Sequence, residues 1–171
     1  MFPHRFEGPI ERHVIESKSS DRALAYFVVW LPPALHAALP LAGNPKLRVR
    51  GEIAEMPFTG AWQAWRGGRY LMVPRKLLNE GELALGDEVE VRFAVADQEA
   101  VDLPPALATA LREDGTKRAW HALTAGRRRA LAHHVASAKR DETRERRIAE
   151  VLAALDPAVE VPKALQRVLG R

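Results

Sequence analysis

Apolar and polar residues alternate with a period of two along two stretches of the first hundred residues. In "LRVRGEI", Leu47, Val49 and Ile53 alternate with charged side chains, and "DEVEVRFAV" shows the same pattern over residues 87–95. Successive side chains of a strand point to opposite faces of a sheet, so each apolar set lies on one face. The pattern therefore predicts two strands, each with one buried face.

A weak internal repeat organises these strands. "YFVVWLPPALHAAL" followed by "KLRVRGEI", and later "RYLMVPRKLLNEGELALGDEVEVRFAV", both have the order strand, proline, short helix, strand. Pro33 and Pro74 suit a first helical turn, where a missing N–H costs nothing. Between them, "WQAWRGGRYLMV" predicts a hairpin whose turn takes positive φ angles at Gly67 and Gly68. Two such units can interleave and close a small barrel, which removes exposed sheet edges.

The period becomes helical after residue 101. Leu107 and Leu111 are four residues apart in "DLPPALATALRED", for which Asp102 is the candidate cap. Thr124 is the predicted cap of a helix over "AGRRRALAHHVASAK", and Asp141 is the predicted cap of a helix over "ETRERRIAEVLAAL". "PKALQRVL" forms a last short helix or a tail.

These patterns predict an α+β fold with two domains, a β-barrel over residues 1–100 and a helical domain over residues 101–171. The chain of 171 residues is long enough for both to bury a core. It has no cysteine, which excludes disulfides and is compatible with the cytoplasm, where we expect the protein. The uncharged stretch 23–45 is interrupted by prolines, so we expect no membrane span.

The net charge of +4 is unevenly distributed. Residues 1–100 hold 12 basic and 13 acidic side chains, whereas residues 112–147 hold 11 basic and 5 acidic ones. Only the second region could attract an anionic partner at long range. Two interpretations remain open for it: solvated helix faces, or a surface that binds an anion or a partner. The candidate side chains for such a surface are Arg128, Arg129, Lys139 and Arg140.

Helical geometry sorts the other side chains of this region at about 100° per residue. Arg129 and Glu150 fall on exposed sides of their helices, and His134 lies beside the core stripe of the first helix. Arg144 starts on the apolar side of the second helix, four residues before Ile148. We therefore interpret Arg144 as a structural arginine that needs a carboxylate or carbonyl partner.

Candidate chemistry is sparse. Adjacent histidines on a helix diverge by about 100°, so His133 and His134 cannot share a metal, and we expect no metal or cofactor. Glu88 and Glu90 share a strand face and form either paired carboxylates or, with Arg92, a solvent-facing ladder. The two tryptophans of the hairpin differ in parity, so one is predicted in the core and the other as a ligand platform. These tryptophans are Trp62 and Trp65.

The motifs "FVVWLPPAL", "RGEI…MPF", "DLPPALATAL" and above all "SAKRDETRERRI" resemble those of a bacterial family of unknown function. Its members join a barrel domain to a C-terminal segment described as YdeI/OmpD-associated, or bacteriocin-protection. The resemblance implies a double-split barrel similar to the swapped-hairpin barrels of AbrB-type regulators. It also implies a link to envelope stress or antimicrobial-peptide protection, and it supplies no catalytic residues.

Three hypotheses about function follow. The first, which we favour, is a non-enzymatic binding protein whose partner is an unidentified peptide, protein or small ligand. The second is a nucleic-acid-binding module that uses the basic helical half, although fold analogy is a weak warrant for function. The third is an enzyme whose site contains Glu88, Glu90 or a histidine with a shifted pKa.

Overall fold

The structure is a computed structural model that describes residues 1–15 and 24–170, with Ala23, the first residue of the uncharged stretch, and Arg171 outside the described residues. The chain divides into two compact units, Met1–Gln98 and Glu99–Arg171, which we call the sheet unit and the helical unit. Each unit has a hydrophobic core of its own. None of the described helices has the length and apolar character that a membrane crossing requires.

Seven antiparallel strands form a curled sheet in the described part of the sheet unit. They are β1 (His4–Pro9), β2 (Glu11–Ile15), β3 (Leu24–Trp30), β4 (Lys46–Ile53), β5 (Met56–Trp65), β6 (Gly68–Met72) and β7 (Glu88–Val95). Their order across the sheet is β1-β7-β4-β5-β6-β3-β2. The alternation predicted for β4 is confirmed, because Leu47, Val49 and Ile53 are buried. In β7 the apolar residues from Val89 to Phe93 are buried, whereas Val95 at the end of the strand is only partly buried.

The internal repeat is confirmed in the order of its elements. In the first copy, β3 leads through a 3₁₀ helix (Pro33–Ala38) to β4, and in the second, β6 leads through α1 (Arg75–Glu80) to β7. Pro33 opens its helix as predicted, whereas Pro74 lies one residue before α1. The copies interleave, because β3 pairs with β6 and β4 pairs with β7.

The hairpin between β5 and β6 turns one residue earlier than predicted. Trp65 pairs with Gly68, so the two turn residues are Arg66 (φ 44°) and Gly67 (φ 84°). Positive φ at both positions is typical of a type I′ turn. Gly68 serves packing instead, because a Cβ there would lie 3.3 Å from the Trp30 ring.

The two edge strands of the sheet, β1 and β2, are consecutive in the chain and are separated only by Ile10. The Ile10 N–H donates to Asp87 O at 2.9 Å, the Ile10 carbonyl accepts from the Gly86 N–H at 2.8 Å, and the side chain is fully buried. Among the described strands, β1 and β2 each pair with one neighbour and not with each other, so the sheet is not closed by backbone pairing. The short connection through Ile10 nevertheless brings the two edges together, so the sheet is curled.

Five helices follow in the described part of the helical unit. They are α2 (Pro105–Glu113), α3 (Lys117–Ala122), α4 (Ala125–Ala136), α5 (Asp141–Leu155) and α6 (Lys163–Leu169). The predicted Leu107 and Leu111 pair is buried in their common core, together with Leu131 and Val135 of α4 and Val151 of α5.

One of the three predicted helix caps is confirmed. The Thr124 side chain accepts from the Arg127 N–H at the start of α4. Asp102 is not a cap, because a residue before a proline is driven out of the helical region and Pro104 precedes another proline, so α2 cannot begin before residue 105. Asp141 lies inside the first turn of α5, where the positive end of the helix dipole stabilises its carboxylate.

A steric prediction follows from Gly51 in β4. A Cβ there would lie 1.9 Å from Arg92 O, a backbone atom of the neighbouring strand that cannot move aside alone. We expect Gly51→Ala to lower the free energy of unfolding by about 1–3 kcal/mol. Urea unfolding followed by tryptophan fluorescence measures this, since three of the four tryptophans belong to the sheet unit.

Gly8→Ala is the matched control in β1, because a Cβ there would meet its nearest neighbour, Phe6, at an ordinary 3.5 Å. We expect this variant to stay within about 0.5 kcal/mol of the wild type. Equal losses for Gly51→Ala and Gly8→Ala would contradict the steric explanation.

Candidate functional site

The predicted anion-binding surface is divided between the two ends of α4. Arg128 forms an ion pair with Glu99 at 2.9 Å, and Arg129 Nη1 donates to Ala100 O at 3.2 Å. Lys139 and Arg140 are exposed beyond the other end of the helix, ten or more residues later, and the helical turns from Arg129 to Ala136 alone correspond to about 10 Å of rise. Arg129 is half-buried rather than fully exposed as predicted, because it reaches the segment before α2.

The depression beside Arg129 is also mixed in charge. A cavity of about 340 Å³ is lined by Asp102, Arg129, His133 and Ala136. A carboxylate in this lining opposes the binding of an anion there. Arg128 and Arg129 therefore make contacts within the helical unit. The four residues predicted to form an anion-binding surface do not come together in the structure.

Two arginines of α5 hold the C-terminal end of α4. Arg147 Nη1 donates to His134 O at 2.7 Å and to Ser137 Oγ at 2.8 Å. Arg144 donates to Ala138 O at 3.3 Å and to the Asp141 carboxylate. The last carbonyls of a helix lack partners within the helix, and cations near that end are favourable. Arg144 thus has both kinds of partner that the sequence led us to expect.

Arg147 was missed at the sequence level, although its position contained a signal. It lies three residues after Arg144, so both side chains leave α5 on neighbouring positions of one face. The motif "SAKRDETRERRI" is therefore explained in part by the connection between α4 and α5: its serine and alanine are at the end of α4, and two of its arginines, Arg144 and Arg147, bind that end.

His134 and Glu150 form a second contact between α4 and α5. His134 Nε2 lies 2.8 Å from Glu150 Oε2, and both side chains are 21% exposed. Arg146 lies 3.5 Å from the other oxygen of the same carboxylate. The prediction that Glu150 points away into water was wrong, because its position flanks the face that α4 covers. No group of three metal-ligating side chains occurs among residues 1–15 and 24–170.

The charged residues of β7 form a cross-strand ladder. Arg92 Nη2 lies 2.5 Å from Glu90 Oε2, Arg5 lies 3.7 Å from the same carboxylate, and Glu52 lies 4.0 Å from Arg92. The hydrogen bond from Arg92, with the positive charges of Arg92 and Arg5, lowers the pKa of Glu90. Glu88 is exposed, so of the two alternatives for these carboxylates the solvent-facing ladder describes the arrangement.

The two predicted tryptophans lie in different environments. Trp62 is fully buried, with its ring centroid 5.3 Å from that of Phe93 and 6.0 Å from that of Phe6 in the core. Trp65 is partly exposed, and the Arg66 guanidinium lies 5.6 Å from its ring centroid. Of the two residues, Trp65 alone has a surface that a ligand could reach.

Trp65 belongs to a group that we call the aromatic cluster, which consists of His13, Trp30, Trp65 and Tyr70. The His13 ring lies 4.7 Å from Tyr70, 5.1 Å from Trp65 and 5.4 Å from Trp30, between centroids. His13 is 8% exposed, and its Nε2 has no hydrogen-bond partner in the described part of the chain. A buried polar atom without a partner is costly, so this nitrogen marks the cluster as a site of interest.

Strand register explains why the cluster lies on the outer face of the sheet. Val29 pairs with Leu71 on the core side, so Trp30 and Tyr70, which pair with each other one residue away, point to the opposite side. His13 pairs with Tyr26 on the same outer face. Burial raises the pKa of Tyr70, and the neighbouring Tyr26 phenol raises it further.

A groove of about 440 Å³ adjoins the cluster, and we call it the outer groove. The side chains that line it include Tyr26, Ala61, Gln63, Met72 and Arg75. Three of these are direct cross-strand partners of buried outer residues: Tyr26 of His13, Gln63 of Tyr70, and Met72 of Val28. The groove and the aromatic cluster therefore form one continuous surface.

Sequence reasoning missed this surface because its residues come from β2, β3, β5, β6 and the start of α1 and form no linear motif. One signal was present. Tyr26, Val28 and Trp30 alternate along "YFVVW", so the second face of this strand is as apolar as the first.

Part of the helical unit matches a known protein family. Residues 100–156, about a third of the chain, match the family model described as bacteriocin-protection, YdeI or OmpD-associated (OmdA). The match covers α2 to α5 and confirms the expected resemblance for this part, and it does not extend into the preceding residues. No curated protein matches the chain.

The arginine contacts at the end of α4 generate a stability prediction. Arg147→Ala leaves the His134 carbonyl and the Ser137 hydroxyl without their donor, so we expect a loss of about 1–3 kcal/mol in the free energy of unfolding. Arg146→Ala is the matched neighbour: this side chain is 68% exposed and we expect a loss under about 0.5 kcal/mol. Chemical denaturation followed by circular dichroism compares them, and similar losses would argue against the capping role.

The ladder on β7 generates a titration prediction. In Arg92→Gln, Glu90 loses its main hydrogen bond, so its pKa should rise towards the ordinary 4.5, whereas Arg5→Gln should raise it less. Because the folded pKa is the lower one, the contribution of Glu90 to stability is present above about pH 4.5 and is lost as the pH falls through the folded value. Carbon-13 NMR titration of the glutamate carboxyls measures both shifts, and an unchanged pKa in Arg92→Gln would refute the assignment.

Proposed function

We propose that this protein is a non-enzymatic binding protein that protects bacteria against bacteriocins or related envelope stress. Its ligand binds on the outer face of the sheet unit. The observation that carries the proposal is the continuity of the outer groove with the aromatic cluster, which places a cavity next to aromatic surface on the side of the sheet opposite the core.

The composition of this face supports a binding role. The solvent-facing side of an antiparallel sheet is usually polar. Here Tyr26, Trp30, Trp65 and Met72 lie on that side, and Met72 is 40% exposed. Partly exposed aromatic residues and methionine are enriched where proteins bind partners, because they supply contact area at small entropic cost. Tyr26, Trp30 and Trp65 keep part of their surface exposed on this face, and a ligand could cover it.

The charged side chains support structural rather than chemical roles. Glu90 is held by Arg92, Glu150 by His134 and Arg146, and Asp141 by Arg144. These three carboxylates are thus engaged in ion pairs with neighbouring side chains. Arg128 and Arg129 are engaged in the same way, which weakens the case for a nucleic-acid surface on the helical unit.

The family match supports the protective part of the proposal. It covers α2 to α5, whose family description names bacteriocin protection. We also propose that the sheet unit is a double-split barrel of the kind that AbrB-type regulators form by swapping hairpins. In the internal repeat, the first strands of the two copies, β3 and β6, pair with each other, and so do the last strands, β4 and β7. This interleaving supports the assignment.

A survival assay tests the proposed function. Bacteria that express the wild type should survive a panel of bacteriocins better than cells with an empty vector. Ala61→Leu fills the outer groove, so this variant should lose the protection. Ala64→Leu, an exposed position on the same strand outside the groove lining, should keep it.

The outcomes separate the two parts of the proposal. Equal survival with and without the wild-type protein would reject the protective role. Protection that persists in Ala61→Leu, with the variant folded by circular dichroism, would move the site away from the outer groove.

A further inference from the structure

The chemistry of the outer groove points to a ligand class. We infer that the groove binds a small aromatic carboxylate, with its ring between Tyr26 and Met72 and its carboxylate on Arg75. This inference rests on the proposed function, because it takes the outer groove as the binding site and adds what the site recognises.

Arg75 supplies the charge complementarity. It is the single charged residue in the lining of the groove, and its side chain is exposed at the point where β6 passes into α1. A guanidinium presents a planar fork of N–H donors that matches the two oxygens of a carboxylate. Arg75 therefore favours a ligand with an anionic end and disfavours a cationic ligand.

The rest of the lining suits an aromatic body. Tyr26 offers a ring for stacking, and Met72 is a flexible, polarisable side chain that adapts to a flat partner. Ala61 is short and lies on the same outer face of β5 as Gln63, so the middle of the groove stays open. The amide of Gln63 can orient a polar substituent. The ligand is thus apolar over most of its surface and polar at few points.

The size of the groove favours a small molecule over a longer chain. Its volume of about 440 Å³ lies in the lower half of the range found for small-molecule sites, about 300–1,000 Å³. A one- or two-ring acid fits this space. An extended peptide would need a longer groove, and we treat peptide binding as a competing outcome in the experiment.

Three naphthalene compounds of matched shape test the inference: 2-naphthoate, 2-naphthylmethanol and 2-naphthylmethylammonium. Titration calorimetry on the full chain should show 2-naphthoate binding at least tenfold more tightly than the alcohol, and the ammonium compound more weakly than the alcohol. Arg75→Gln should reduce the affinity for 2-naphthoate to that for the alcohol. Lys76→Gln, the next residue on α1 and paired with Glu80 outside the groove, should leave it unchanged.

Ala61→Leu should abolish binding of 2-naphthoate and of the alcohol, while Ala64→Leu should not. Equal affinities for the acid and the alcohol, insensitive to Arg75→Gln but lost in Ala61→Leu, would overturn the carboxylate assignment and leave the groove as a site. Absence of binding by 2-naphthoate would also overturn the inference, and the survival assay would judge the proposed function separately. Tighter binding of the free-acid peptide acetyl-Ala-Ala-Phe than of 2-naphthoate would overturn the small-molecule assignment.

Discussion

The sheet unit depends on a single connection, the one residue between its two edge strands. Seven strands laid flat at about 4.8 Å spacing would separate β1 from β2 by about 29 Å, whereas one intervening residue allows only about 7 Å. The sheet must therefore curl until its edges meet at Ile10. The Ile10 N–H donates to Asp87 O and the Ile10 carbonyl accepts from the Gly86 N–H, and these two bonds, together with the buried side chain, hold that meeting point in place.

Curling places one face of every strand around a common core and turns the other face outward. β3 has an unusual position in this arrangement, because the adjacent Val28 and Val29 are both fully buried although they point to opposite faces. A strand buried on both sides needs a continuous apolar run, which accounts for "YFVVW" in β3. The aromatic cluster and the outer groove extend this second apolar face.

Features that depend on neighbours in sequence could be predicted, and features that depend on distant parts of the chain could not. The alternation of β4, the order of elements in the repeat and the cap at Thr124 are local, and they are present as expected. The misplaced cap at Asp102 was a local error, because the double proline outweighs the side chain. The pairing of His134 with Glu150, sixteen residues apart, depends on how two helices pack. The outer groove combines residues from separate strands. The periodicity of the sequence encodes neither of these contacts.

The arginine contacts between α4 and α5 have a consequence for the dynamics of the helical unit. The last turn of α4 is completed by side chains that belong to the next helix, so an opening of α5 would also release that turn. The two helices should then exchange their amide hydrogens as one cooperative unit rather than fray independently. The arginine-rich motif thus couples the stability of α4 to that of α5, and it adds stabilising contacts to α4, which has few large apolar residues.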